Sequence, residues 1–262
     1  MRYAIALIAA IFAALPVWAG GLDGVAADVV VLGEQHDNPA HHLVQAEAVA
    51  ELAPKALVFE MLTEAQAERA VPELRADAVA LGKALDWAGS GWPDFEMYAP
   101  IFAAAPEARI YGAELPRDVA RVALSVGVPH LFGAEAAEYG LTEALEPEEL
   151  AERLNLQMEA HCGALPLDLL PGMVDLQRLR DAMLARKALT ALAETGGPVV
   201  VITGNGHARR DWGLPSYIAR VAPEVVVYAL GQGEDGAVPE GGFDEVLDAP
   251  GVDRGDPCEA LR

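Results

Sequence analysis

Two short stretches carry most of the side chains that could do chemistry. "GEQHDNPAHH", Gly33 to His42, holds Glu34 and three of the chain's six histidines, His36, His41 and His42. "TGNGHARRDWGLP", Thr203 to Pro215, sets His207 behind a Gly-Asn-Gly turn and follows it with Arg209 and Arg210. Carboxylate and imidazole are both good ligands for zinc or iron. Glu34 and His36 are two residues apart, so in an extended turn they can face one way. The plainer alternative is a Glu–His pair that only orders the turn. Asn38 followed by Pro39 reads as a helix N-cap with proline at the first helical position. That puts His41 and His42 in the first helical turn, where solvated or cap-supporting roles are expected. Gly204 and Gly206 allow a tight turn and close approach of a ligand to the backbone. The two arginines suit carboxylates.

The elements that must position these groups alternate along the chain. "DVVVLGE" (Asp28–Glu34), "KALVFEM" (Lys55–Met61), "ARIYGAEL" (Ala108–Leu115), "PVVVITGNGH" (Pro198–His207) and "EVVVYAL" (Glu224–Leu230) read as short buried strands. Pro39–Ala53, Thr63–Ala88 with a break near Pro72, Pro116–Gly127, Glu146–His161 and Pro171–Ala193 read as helices. Such alternation predicts an α/β fold, a largely parallel sheet covered by helices. The last thirty residues, rich in Gly and Asp, are expected to wrap the surface. Several strands end on a chemical group: Glu34, Glu60, Glu114 and, four residues past Thr203, His207. In a parallel sheet those ends share one edge, and ligand sites of open α/β folds lie outside it. The site is therefore expected at the C-terminal edge of the strands. "LDWAGSGWPDFEMYAPIF" gathers Trp87, Trp92, Phe95, Tyr98 and Phe102 in a chain that is only 6% aromatic. Such a stretch is either satellite core or a wall for a flat apolar ligand, and a tyrosine phenolate can ligate iron. Met158, Met173 and Met183 read as core, and His130 and His161 stand apart from any cluster.

The whole chain narrows the classes. Its 262 residues are 53% hydrophobic, enough for one medium domain with a real core. Its net charge of −22, from 18 basic and 40 acidic residues, repels phosphate backbones and anionic membranes. Nucleic acid is therefore not an expected partner. Residues 1–19 have the pattern of a signal peptide: Arg2, the apolar run "YAIALIAAIFAALPV" and a small-x-small site at Val17 to Ala19. Cleavage before Gly20 would leave a single domain over residues 20–262, exported to the periplasm. No integral membrane span would remain, and no cysteine near the site suggests a lipid anchor. The two cysteines, Cys162 and Cys258, are expected to form a bridge in an exported protein, the alternative being two unrelated thiols.

The blocks "LGEQHDNPAHH", "VFEML" with Gln66 after it, "YAPI", "AELPR", Gln177 with Asp181, and "GNGHARRDWGLP" together resemble the ChaN family of haem-binding, iron-regulated proteins. The resemblance runs from about Asp28 to Tyr217. That family sits in a wider group with the Tiki and TraB proteins and erythromycin esterases, some of which are metal-dependent hydrolases. The resemblance implies a haem binder serving iron uptake rather than an enzyme, and it allows a homodimer that shares the pocket. Carried over by position, the family blocks fall on Glu34, His36, Glu60, Tyr98, Arg117 and His207. Tyr98 or His207 would ligate the iron, His36 would help bind the cofactor, and Arg117, Arg209 or Arg210 would meet the propionates. The alternative is a hydrolase of peptides or esters, in which Glu34, His36, Glu60 and His207 surround a divalent metal and a glutamate acts as general base. Two departures stand out: the lipidated cysteine of many ChaN proteins is absent, and Glu114 stands where the family has asparagine.

Overall fold

Val29 to Leu32 are β-branched or bulky apolar residues, and every position of the first strand, β1 (Val29–Glu34), is buried. Their side chains alternate between two separate cores: Val29 and Val31 enter one, Val30 and Leu32 the other. The same alternation holds in later strands, with Ala56 and Val58 against Leu57 and Phe59, and Val199 and Val201 against Val200 and Ile202. A strand apolar on both faces belongs in the middle of a helix-covered parallel sheet.

The computed structural model describes residue 22, residues 24–256 and residues 258 and 259. The expected signal peptide lies outside the described residues. After β1 come α1 (Pro39–Leu52), β2 (Ala56–Phe59), α2 (Glu64–Ala67), α3 (Ala78–Ala84), α4 (Phe95–Ala104) and β3 (Arg109–Gly112). Then follow α5 (Arg117–Val126), α6 (Val128–Phe132), α7 (Pro147–Ala160), α8 (Leu170–Thr195), β4 (Val199–Gly204), α9 (Asn205–Ala208), α10 (Leu214–Val221), β5 (Val227–Glu234) and β6 (Glu245–Ala249). The six strands form one sheet in the order β3-β2-β4-β1-β5-β6, and every pairing is parallel. Helices α1, α3 and α4 contribute to the core on one face, and α5, α8 and α10 to the core on the other. The α/β expectation holds.

Two segments differ from the sequence reading. The helical segment from Thr63 to Ala88 breaks near Pro72 as expected but is more divided than the sequence suggested: α2, a 3-10 turn at Pro72–Leu74, α3 and a second 3-10 turn at Trp87–Gly89. Thr63 and Gln66 form a reciprocal capping box that starts α2. Pro72 then forbids continuation, since it lacks a backbone N–H. The C-terminal stretch does more than wrap the surface. Glu245–Ala249 pairs in parallel with β5 and completes the sheet. Cys162, just past α7, is bridged to Cys258. Among the described residues no helix is long and apolar enough to cross a membrane.

The sheet places the chemistry. β4 lies between β2 and β1, so the chain reverses direction across the sheet there. Glu34 is level with Gly204 and Gly33 with Thr203. Phe59 is level with Ile202, which puts Glu60 beside Thr203. This is the switch point at which open parallel sheets bind ligands.

Candidate functional site

A cleft of about 360 Å³ opens at that edge, and His36, Glu60, Trp92, Glu114, Arg117, Arg180 and His207 line it together with Leu115 and Leu184. Glu60 is its centre. One Glu60 oxygen accepts from the Thr203 hydroxyl at 2.6 Å and from the Gly204 N–H at 2.9 Å. His36 Nε2 lies 3.9 Å from that oxygen, and His207 Nε2 lies 3.6 Å from the other. Each imidazole is held from behind. His207 Nδ1 is 2.6 Å from Asp181, and His36 Nδ1 is 2.7 Å from Glu34. Carboxylates behind Nδ1 fix the ring and aim Nε2 forward, as the outer partners of metal-bound histidines do.

The charges follow from this packing. Burial would raise the Glu34 carboxyl, but hydrogen bonds from His36 and His42 outweigh it and hold it at about 2. Burial would lower His36, but its bond to Glu34 and the charge of Glu60 raise it to about 9. Burial opposes the charged form of His207 as well, and Glu60 and Asp181 overcome it and raise its pKa. Glu60 moves down, because His207 and His36 outweigh its burial. Asp181 moves up, since burial there exceeds the pull of His207. Burial also raises Glu114.

Glu60, Glu114 and His207 line one cleft, as their strand-end positions suggested. Glu34 shares the edge but is turned away from the cleft. It is buried behind His36 and receives His36, His42 and Tyr98. A metal set that includes Glu34 is therefore not what the fold assembles. Among the described residues no group of three or more His, Cys, Asp or Glu has the geometry to hold a metal ion.

His41 and His42 overturn their expectation, for both are fully buried. The first turn of α1 rests on the ends of β1 and β5 rather than in water. His41 Nδ1 accepts the Gln35 N–H and Nε2 meets the Gly233 carbonyl, an arrangement suited to the neutral ring, and burial lowers its pKa. His42 donates from Nε2 to the His36 carbonyl and turns Nδ1 to Glu34, 3.2 Å away. Its charged form is favoured despite burial, because Glu34 faces it.

Tyr98 is also fully buried, with its hydroxyl donating to Glu34 at 2.9 Å and its ring against His42 and Trp87. Burial and the Glu34 carboxylate push the phenol far above its ordinary range. The expectation of a Tyr98 phenolate facing a ligand is thus corrected: α4 turns this residue into the core. Arg209 and Arg210 are corrected too. Arg209 pairs with Asp211 through two hydrogen bonds and stacks on Trp212, and Arg210 pairs with Asp244. Past α9, Asp211 and Asp244 take both guanidiniums. Arg117 does line the cleft.

Sequence reasoning missed Arg180, and it met Asp181 only within a family block. Both had a signal. Gln177, Arg180, Asp181 and Leu184 follow i, i+3, i+4, i+7 spacing, one face of a helix. That face of α8 turns to the cleft, where Gln177, Arg180 and Leu184 line it and Asp181 holds His207.

A family model described as "Haem-binding uptake, Tiki superfamily, ChaN" matches residues 24–218. The chain belongs to the ChaN family. Among solved structures it is similar to the one described as "Cofacial heme binding to ChaN of Campylobacter jejuni". That likeness has 19% identity and a TM-score of 0.61, and covers 81% of this chain and 84% of that one. A more distant likeness, to an erythromycin esterase mutant in its open conformation, has 13% identity and a TM-score of 0.42. It covers 81% of this chain and 71% of that chain. No curated protein sequence matches the chain. The matched residues of this ChaN chain run from ahead of β1 into α10, so they carry the whole cleft.

Proposed function

We propose that this ChaN protein binds haem in the cleft at the C-terminal edge of its sheet. The observation that carries the proposal is the pair of imidazoles, His36 and His207, each turned into one cleft by a buried carboxylate behind it. The rest of the lining fits the group. Trp92, Leu115 and Leu184 offer flat and aliphatic contact, and Arg117 and Arg180 offer guanidiniums to peripheral carboxylates. His36 is the more accessible ring, with its side chain 31% exposed against 8% for His207. His36 would therefore meet the iron, and His207 would stand behind Glu60. Haem, when bound, would supply an iron that an imidazole can ligate. Glu34 sets the His36 ring, Trp92 packs against that ring at 4.8 Å between centroids, and Glu60 keeps a negative charge beside it.

The proposed setting is export to the periplasm, in the service of haem or iron uptake. The leader-like pattern of residues 1–19 supports export, and so does a disulfide, which persists in oxidising compartments. Membership of the ChaN family, in which a Campylobacter jejuni protein is described as binding haem cofacially, supports a homodimer that shares the pocket as the proposed loaded form.

The second reading, a metal-dependent hydrolase, draws on Glu60 lying between two Nε2 atoms. One experiment separates the two. Titration of the protein with hemin should give a Soret band that saturates, with a shifted spectrum in His36→Ala. A flat titration, together with metal-dependent turnover of an ester or peptide panel, would favour the hydrolase.

A further inference from the structure

The turn that carries His36 runs from Gln35 to Asn38, and most of it is fixed from within. The Asn38 N–H donates to the Gln35 carbonyl, the Gln35 N–H donates to His41 Nδ1, and the His36 carbonyl accepts from His42 Nε2. Asp37 is held from outside. Both of its carboxylate oxygens accept from Arg254, at 2.6 Å each. The same guanidinium donates twice to Glu234, the last residue of β5, at 2.6 and 2.7 Å. Four charge-assisted bonds therefore join the turn after β1 to the end of β5 through one side chain. Asn38 completes the joint, donating to Glu234 and to the Pro250 carbonyl. Arg254 holds the carboxyls of Asp37 and Glu234 below their ordinary range. Without it, two carboxylates would share one site with no guanidinium between them, next to the residue that presents its imidazole to the cleft.

Burial is not what keeps Arg254 in place. From Gly251 to Asp256 every residue but Val252 is exposed, so the segment has little apolar surface to hold it down. Ion pairs that are partly in water are weak on their own. Two ties supply the rest. On one side β6 ends at Ala249. On the other, Cys258 is bonded to Cys162, just past the end of α7. A group tied at both ends meets its partners at a high effective concentration, and one tied at a single end does not.

We propose that Arg254 is a positioning residue for the haem cleft, locked in place by the Cys162–Cys258 bridge. It holds the Asp37 turn so that the His36 ring keeps its aim into the cleft. The inference rests on the haem reading above. It adds a dependence on a chain end that lines no part of the cleft.

The test is hemin titration followed by absorbance, with the parent first. A parent without a saturable Soret band would defeat the haem reading itself. Given that band, Arg254→Met should weaken hemin binding by about fivefold or more. Its spectrum should also move toward that of His36→Ala, a change that a merely stabilising contact would not produce. Asp37→Asn cuts the same tie with the opposite change of charge, and it too should weaken binding. Combined with Arg254→Met it should be no worse than either change alone. Cys162→Ser/Cys258→Ser should show the same weakened binding. Parent protein that has been reduced, alkylated and freed of reagents replaces the double variant if that variant does not fold. Parental affinity and spectrum in Arg254→Met overturn the proposal, even where the melting temperature falls. Tighter binding in Asp37→Asn shows charge alone at work and overturns it as well, as do additive losses in the combined variant. Parental affinity in the unbridged protein overturns the lock.

Discussion

Glu34 is the residue on which the site's electrostatics turn. It takes hydrogen bonds or close approaches from His36, His42 and Tyr98 while fully buried. Its folded-state pKa is depressed to about 2 from 4.5, so its stabilising share is present above 4.5 and is lost as pH falls toward 2. His36 runs the other way. Its pKa is raised from 6.5 to about 9, so its share is present below 6.5 and is lost as pH rises through 9. The melting temperature of the protein should therefore have a plateau between about pH 4.5 and 6.5 and fall on both sides. Glu34→Gln should flatten both limbs; limbs unchanged in that variant would remove Glu34 from this role. The same protonation would govern haem in the proposed site. In the proposed site iron and proton would compete for the His36 ring, so hemin affinity should climb by up to about tenfold per pH unit from pH 6.5 toward 9. A pH-independent hemin affinity would move the ligand away from His36. Tyr98→Phe should leave the haem spectrum unaltered and cost about 1–3 kcal/mol in urea denaturation, the loss of one buried hydrogen bond to a charged acceptor. A changed spectrum would return Tyr98 to the iron.

At the scale of elements, close packing at the carboxyl edge fixes where the cleft can be. Gly112, at the end of β3, sits so near the chain after β2 that an added Cβ would lie 2.3 Å from the Thr63 carbonyl oxygen and 2.5 Å from that of Leu62. The Leu62 carbonyl also receives the Glu114 N–H, and the Phe59 carbonyl receives that of Ala113. These bonds set the stretch from Ala113 to Leu115 that walls the cleft. Gly112→Ala must shift backbone, with a predicted cost of about 1–3 kcal/mol by chemical denaturation. Hemin affinity should fall with it. Wild-type stability in that variant would show that β3 is free to move.

For the whole molecule, the C-terminal segment is a closure. β6 joins the sheet, Arg254 bridges Asp37 and Glu234, and Cys258 is bonded to Cys162. Asp37 adjoins His36, so the last residues tie down the turn that carries the cleft's exposed imidazole. The bridge closes a separation of 96 residues. The Cys162→Ser/Cys258→Ser double variant should lose about 2–4 kcal/mol of stability. A melting temperature equal to that of the parent would show the bridge to be dispensable.

Much of this was written in local sequence. Buried strands read as continuous apolar runs, and the groups at their ends follow from chain order alone, so the parallel sheet and an edge carrying Glu60, Glu114 and His207 were legible from "VVVLGE", "LVFE", "YGAE" and "TGNGH". The family blocks were legible for the same reason: they are contiguous. Other features depend on what comes across from distant chain. His41 and His42 had the look of a wet first turn, and only the packing of α1 on β1 and β5 buries them. Tyr98 sits among aromatics in either reading, and only the rotation of α4 decides that its hydroxyl serves Glu34 rather than a ligand. Arg209 and Arg210 lost their expected role to Asp211 and Asp244, the second of them 34 residues away. Arg180 gained one because α8 turns that face to the cleft. Sequence determined which groups stand at the edge of the sheet. Their partners were decided by tertiary structure, since a side chain's charge and direction are set by neighbours that the chain brings together only when it folds.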